Sequence, residues 1–185
     1  MNHWIIFLCL LLGSCQSDVA QADTQTEIFF QHHIPDSLTS ELFISIHKAD
    51  RKLEIRTDST VFMRFPVVLG LKPEGDKQMQ GDRKTPEGRF KIRDLYPHDR
   101  WSYFIWIDYP NDTSRQRFQA RRENGEIPAD AAIGGEIGIH GVPEGRDDLI
   151  DRKLDWTWGC ISLRNKDVKR VYDLAYKGME VVIWP

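Results

Sequence analysis

The stretch Gly134-Gly135-Glu136-Ile137-Gly138-Ile139-His140-Gly141 crowds four glycines around a short apolar alternation. Read as a strand, period two puts Ile137 and Ile139 on one side and Gly138 and His140 on the other. Gly138 leaves room beside the imidazole, and Gly141 permits a turn or a close backbone approach. Nineteen residues separate His140 from Cys160, which lies in Thr157-Trp158-Gly159-Cys160-Ile161-Ser162-Leu163-Arg164. If this second run is extended, Ile161 and Leu163 enter a core while Cys160, Ser162 and Arg164 share the opposite face. A thiol and an imidazole then both oppose an apolar face. That arrangement suits the wall of a cleft.

Outward from these runs, the chain reads as one β-rich domain. Leu42, Ile44 and Ile46 alternate with Phe43, Ser45 and His47, and Leu53 and Ile55 resume the alternation in 52–57. Residues 62–69 predict a further strand, which Pro66 places at an edge or a bulge. Strands are also expected at 88–95, 103–109 and 180–184. Two helices interrupt them. The first, 111–124, is polar and carries Arg115, Arg117, Arg121 and Arg122. It reads either as a solvated surface helix or as a cover over a substrate groove. The second has Asn165 as its expected N-cap, Val168, Val171, Tyr172 and Ala175 at helical spacing, and Gly178 just past its end. The class expected is mainly β with α: a helix packed on a mainly antiparallel sheet system, either α+β or β-sandwich.

Composition narrows the possibilities. A chain of 185 residues holds one ordinary domain, and 41% hydrophobic residues suffice to close a core. Lys+Arg number 25 against 28 Asp+Glu, a net charge of −3, so no general electrostatic pull toward nucleic acid or anionic lipid exists. The apolar run from Trp4 to Leu12 is too short to span a bilayer but suits a signal-peptide core. Leu12-Gly13-Ser14-Cys15 resembles the bacterial lipobox, in which the cysteine is acylated, although no Lys or Arg precedes the apolar run. This predicts a signal peptide at 1–14, a lipidated Cys15 opening a tether to residue 40, and a folded domain at 41–185. A short membrane anchor or a plain secretory signal is the alternative. With Cys9 removed and Cys15 acylated, Cys160 is the remaining thiol. Gln16 stands where an Asp would resemble an inner-membrane retention signal, so the expectation is an exported, periplasmic protein anchored to the outer membrane.

The pairing of Cys160 with His140 has a chemical reason. A free thiol is mostly protonated at neutral pH, and a neighbouring imidazolium lowers its pKa and later protonates a leaving amine. Backbone N–H groups beside Gly159 and Cys160 can hold an oxyanion, because Gly159 lets the chain bend close to a substrate. The structural alternatives are a cysteine acting as a small buried hydrophobe and a histidine satisfied within the core. The domain histidines His47, His98 and His140 show no metal-binding spacing with Cys160.

His140-Gly141, fifteen intervening residues, then Thr157-x-Gly159-Cys160 resembles the active-site signature of the YkuD-type L,D-transpeptidases. The likeness extends upstream to Val67-Val68-Leu69-Gly70 and to Gly81-Asp82-Arg83-Lys84-Thr85-Pro86-Glu87-Gly88-Arg89-Phe90, and downstream to 165–176 and 178–183. Trp158 stands where many members carry His, and Ser162 where many carry Arg. The resemblance implies a β-sandwich-like catalytic domain with a C-terminal helix and closing strand, working without a cofactor. It further implies acyl transfer on peptidoglycan stem peptides: Cys160 as nucleophile, His140 as general base and acid, the Gly141 carbonyl orienting His140, and Gly159 in the oxyanion region. Thr157, Trp158, Ser162 and Arg164 become substrate-binding candidates. The acceptor is an amine on a second stem, a protein or a D-amino acid; water would make the enzyme a carboxypeptidase or hydrolase. Carbapenem-type inhibitors are expected partners, nucleic acid is not, and the membrane is met through the lipid anchor only. A non-catalytic wall-binding lipoprotein is the alternative from another class.

Overall fold

The computed structural model describes residues 34–185. The expected signal segment, Cys15 and the first part of the expected tether lie outside the described residues. A 3-10 turn, Asp36–Glu41, precedes β1 (Phe43–His47), β2 (Lys52–Arg56), β3 (Val61–Pro66), β4 (Gly88–His98) and β5 (Ser102–Ile107). Then follow α1 (Asp112–Glu123), β6 (Gly138–Gly141), α2 (Asp148–Asp151), β7 (Ile161–Leu163), α3 (Asn165–Leu174) and β8 (Glu180–Trp184). The eight strands run in the order β3-β2-β1-β8-β4-β5-β6-β7. Pairing is antiparallel except for β1 with β8 and β6 with β7. The protein is mainly β with a few helices, as the sequence predicts.

Strand β4 joins the two halves of the sheet. Its start, Gly88 to Lys91, pairs with β8, and its later part, from Ile92 to His98, pairs with β5 across a register shift between Ile92 and Asp94. The alternation in β1 and β2 buries Ile44, Ile46, Leu53 and Ile55 completely. Their second face is covered as well, by polar contacts: Glu54 is buried and receives Arg64 at 2.9 Å, and Trp184 Nε1 donates to Ser45 Oγ at 3.1 Å. Pro66 ends the edge strand β3, where its missing N–H costs no ladder bond.

Three expectations need correction. The glycine-rich run enters the sheet only at Gly138, because Gly134 (φ 78°) and Glu136 (φ 58°) adopt left-handed conformations that no strand accommodates. Helix α3 begins one residue earlier in its capping than expected: Arg164, still extended, is the N-cap and Asn165 is the first helical residue. The helix stops at Ala175, so Gly178 (φ 92°) serves the turn into β8 rather than the cap. Ile34 and Leu38, ahead of β1, pack against the main core.

Candidate active site

Parallel pairing of β6 with β7 sets Ile139 beside Ile161, His140 beside Ser162 and Gly141 beside Leu163. Cys160 lies one residue before β7, on the side of the chain that also carries Ser162. It is therefore one strand across and two residues back from His140. Sheet spacing puts their α-carbons about 8 Å apart, a span that a thiol and an imidazole can close from the same face. On the other face Ile139, Ile161 and Leu163 are fully buried.

The turn before Cys160 is built by its own polar groups. Thr157 Oγ1 donates to the Cys160 carbonyl at 2.7 Å and accepts from the Gly159 N–H at 3.2 Å. Gly159 has φ 133°, and a Cβ there would lie 2.6 Å from the Lys84 carbonyl and 3.0 Å from Ile137 Cδ1. Only glycine fits. The 67–71 segment holds the turn from behind, with Val68 and Ser162 exchanging backbone bonds of 3.0 and 2.8 Å and Leu71 N–H donating to the Thr157 carbonyl at 3.0 Å. Trp158 projects outward, 71% exposed, with the Arg83 guanidinium 5.5 Å from its ring centroid.

Residues 71–87 form the wall against this turn without a regular element, and charged side chains shape it. Buried Lys48 donates from Nζ to the Gly75 carbonyl at 2.6 Å, the Thr85 carbonyl at 3.0 Å and Glu87 Oε1 at 2.7 Å. Asp82 accepts from buried Lys77 at 2.7 Å and from the N–H groups of Gln78, Met79 and Lys84. Burial raises the Asp82 pKa, but these donors together hold it below the usual carboxylate range. Helix α1 buries no residue, in keeping with a solvated helix. Yet it is tied to the wall: Arg121 donates to Asp76 at 2.9 Å and to the Lys77 carbonyl at 3.0 Å, and Arg117 to the Glu87 carbonyl at 3.0 Å.

The histidine is held differently. His140 Nδ1 lies 2.7 Å from the carbonyl of Gly141, which can only accept, so Nδ1 carries the proton and Nε2 is left as the base. Trp101 stacks on the imidazole at 4.6 Å, Phe104 lies parallel to it at 5.9 Å, and Trp156 meets it edge-on at 5.6 Å. The room expected at Gly138 is occupied by the Phe104 ring, whose Cζ would stand 2.5 Å from a Cβ. A side chain at Gly141 would strike Asn165 Oδ1 and the Trp101 carbonyl. Both glycines are there for packing.

Burial dominates the electrostatics. It pushes His140 down to about 4, against the opposing effect of the Gly141 carbonyl. Cys160 is half-buried as a residue, but desolvation of its thiol pushes it up to about 11, partly offset by the Gly138 N–H and by the Lys77 charge. Burial thus favours the neutral form of each group, a thiol and an imidazole, whereas the sequence suggests a thiolate–imidazolium pair. Water excluded by the aromatic rings and the wall is the reason. The thiol donates to the Glu136 carbonyl at 3.4 Å.

The structure thus brings together His140, Gly141, Cys160, Gly159, Trp158 and Ser162, whose hydroxyl is fully buried and donates to the Gly141 carbonyl at 3.4 Å. Thr157 is adjacent, with its hydroxyl engaged inside the turn. Arg164 is the expected residue that does not reach the site. Because β7 ends at Leu163, its guanidinium turns to Asp151 (Nε at 2.8 Å) and to Asp167 at 3.4 Å. Sequence reasoning missed Trp101, Phe104 and Trp156. Trp156, directly before the cysteine run, was the one with a local signal.

Residues 41–183 match the L,D-transpeptidase catalytic domain, YkuD, and the chain belongs to that family. The helical cell shape determining protein Pgp2 from Campylobacter jejuni is similar over 77% of this chain and 46% of its own, at 22% identity and a TM-score of 0.56. Bd1075 of Bdellovibrio bacteriovorus is similar over 78% and 48%, at 20% identity and a TM-score of 0.54. L,D-transpeptidase 3 from Mycobacterium tuberculosis, solved with a faropenem-derived adduct, is similar over 78% and 60%, at 11% identity and a TM-score of 0.52. These likenesses show the fold, and the chain spans about half the length of the first two proteins. Comparison with curated protein sequences gives no significant match.

Proposed function

We propose that this protein is a peptidoglycan L,D-transpeptidase that uses Cys160 and His140. One observation carries the reading: His140 presents Nε2 as its free base because Nδ1 is bonded to Gly141, on the strand beside the one that Cys160 leads into. His140 takes the thiol proton as sulfur attacks the carbonyl between the third stem residue, a diamino acid, and the terminal D-alanine. A neutral starting pair suits this coupled transfer, since separated charges are disfavoured in so dry a site. The oxyanion is held by the bent backbone before Cys160. The Gly159 N–H there already donates to Thr157, so we assign the Cys160 N–H as a donor. The imidazolium protonates the departing amine, D-alanine leaves, and a thioester remains. An amine acceptor then attacks the thioester, giving its proton to His140, and the thiol is regenerated.

The Gly141 carbonyl replaces the carboxylate that orients histidine in other nucleophile–base systems. Trp158 flanks the nucleophile as a substrate-side residue, while Thr157 shapes the turn and the buried Ser162 hydroxyl, expected to bind substrate, donates to the Gly141 carbonyl instead. Export, acylation at Cys15 and outer-membrane anchoring in the periplasm belong to the same proposal and rest on the sequence. The test is to incubate the protein with tetrapeptide muropeptides and identify products by mass. Loss of D-alanine with formation of crosslinked or D-amino-acid-exchanged products supports transfer. Tripeptides alone would make water the acceptor, and unchanged substrate would overturn the reading.

A further inference from the structure

A tetrapeptide donor ends in a free carboxylate, and a cation must receive it close to the scissile bond. Most basic side chains around the site are already committed: Arg164 to Asp151 and Asp167, Arg117 and Arg121 to Asp76, Lys77 to Asp82, and Lys48 to Glu87. Arg83 differs. It is exposed, makes no ion pair among the described residues, and lies over the ring of Trp158, two residues before the nucleophile. The neighbouring Lys72 and Lys84 side chains likewise make no ion pair among the described residues.

The seat of Arg83 is built into the backbone. Arg83 adopts a left-handed conformation, φ 60°, which a non-glycine residue takes only when its surroundings impose it. Its carbonyl accepts the Lys72 N–H at 3.1 Å and packs where a side chain at Gly70 would collide. Trp158 at 71% exposure is a large apolar surface left in water beside the nucleophile. A guanidinium resting on an aromatic face keeps its N–H edge free, and that edge fits a carboxylate with two parallel bonds.

We propose that Arg83, seated on Trp158, binds the terminal carboxylate of the donor stem at the rim of the Cys160 site. This rests on the donor reading above. It also accounts for two departures of this chain together: Ser162 provides only a buried hydroxyl where many relatives carry Arg, and Trp158 supplies the ring that seats Arg83.

The test uses the Cys160→Ala protein, so that binding is read without turnover. It is titrated with a tetrapeptide stem ending in carboxylate and with the same stem ending in carboxamide. Adding Arg83→Ala should weaken the carboxylate form about tenfold and leave the carboxamide form unchanged, with Arg83→Lys recovering part of the loss. Equal affinities with and without Arg83, or an equal loss for acid and amide, would overturn the proposal while leaving the donor reading intact. Failure of both stems to bind the Arg83-containing protein would overturn the donor reading itself, and this inference with it. Circular dichroism melts of each variant separate lost binding from lost fold.

Discussion

His140 stands on β6 and Cys160 just ahead of the neighbouring β7, yet their surroundings are built on different principles. Around His140 the contacts are aromatic: Trp101 and Phe104 parallel to the imidazole, Trp156 at its edge, and a backbone carbonyl fixing the tautomer. Around Cys160 the wall is an irregular segment whose shape comes from buried charges, Lys48 and the Lys77–Asp82 pair, bonded to backbone groups. An aromatic enclosure sets protonation by excluding water. A charge-pinned segment sets position by satisfying backbone groups that no strand or helix pairs. The two sides should therefore fail in different ways.

The largest effect is expected on the cysteine side. Lys48→Met leaves Glu87 and two carbonyls without their donor, and should cost about 3–5 kcal/mol in urea denaturation. Native-state proteolysis should open the chain between residues 71 and 87 first. A variant with unchanged stability and an uncut wall would show that the charges do not hold it. The histidine side should respond to pH. Because burial lowers His140 to about 4, the unfolded chain takes up a proton below about 6.5 that the folded chain refuses. Stability should fall as pH drops from about 6.5 to about 4, by up to about 3 kcal/mol from this group. His140→Gln should flatten that part of the curve, and Trp101→Ala, which admits water, should shrink it. An identical pH dependence in His140→Gln would assign the loss to carboxylates instead. The smallest effect is expected at Arg164, whose partner Asp151 is about half exposed. Arg164→Ala should leave KM for a tetrapeptide within about twofold. A tenfold rise in KM would return Arg164 to the substrate.

The same contrast explains what was legible in the sequence. Alternation of Ile44 with Ile46 and of Leu53 with Ile55 identifies strands because burial on one face imposes period two. Glycines at 141 and 159 mark close backbone approaches, and the packing around them bears that out, whereas the room expected at Gly138 is filled by Phe104. The aromatic enclosure was not legible. Trp101 and Phe104 come from the β4–β5 hairpin, and nothing local shows that Phe104 pairs with His140 across the sheet. The direction of the pKa shifts was misread for the same reason, since spacing indicates proximity and not dryness. Arg164 was misplaced by extending β7 one residue too far, when the chain was already turning into α3.

The central claim is that Cys160 is an acylating nucleophile activated by His140, and carbapenem capture tests it most directly. Intact-mass measurement of the protein exposed to a carbapenem should show one adduct, absent in Cys160→Ala and formed at least about a hundredfold more slowly in His140→Ala. An adduct that survives Cys160→Ala, or one that forms at the wild-type rate without His140, would contradict the account.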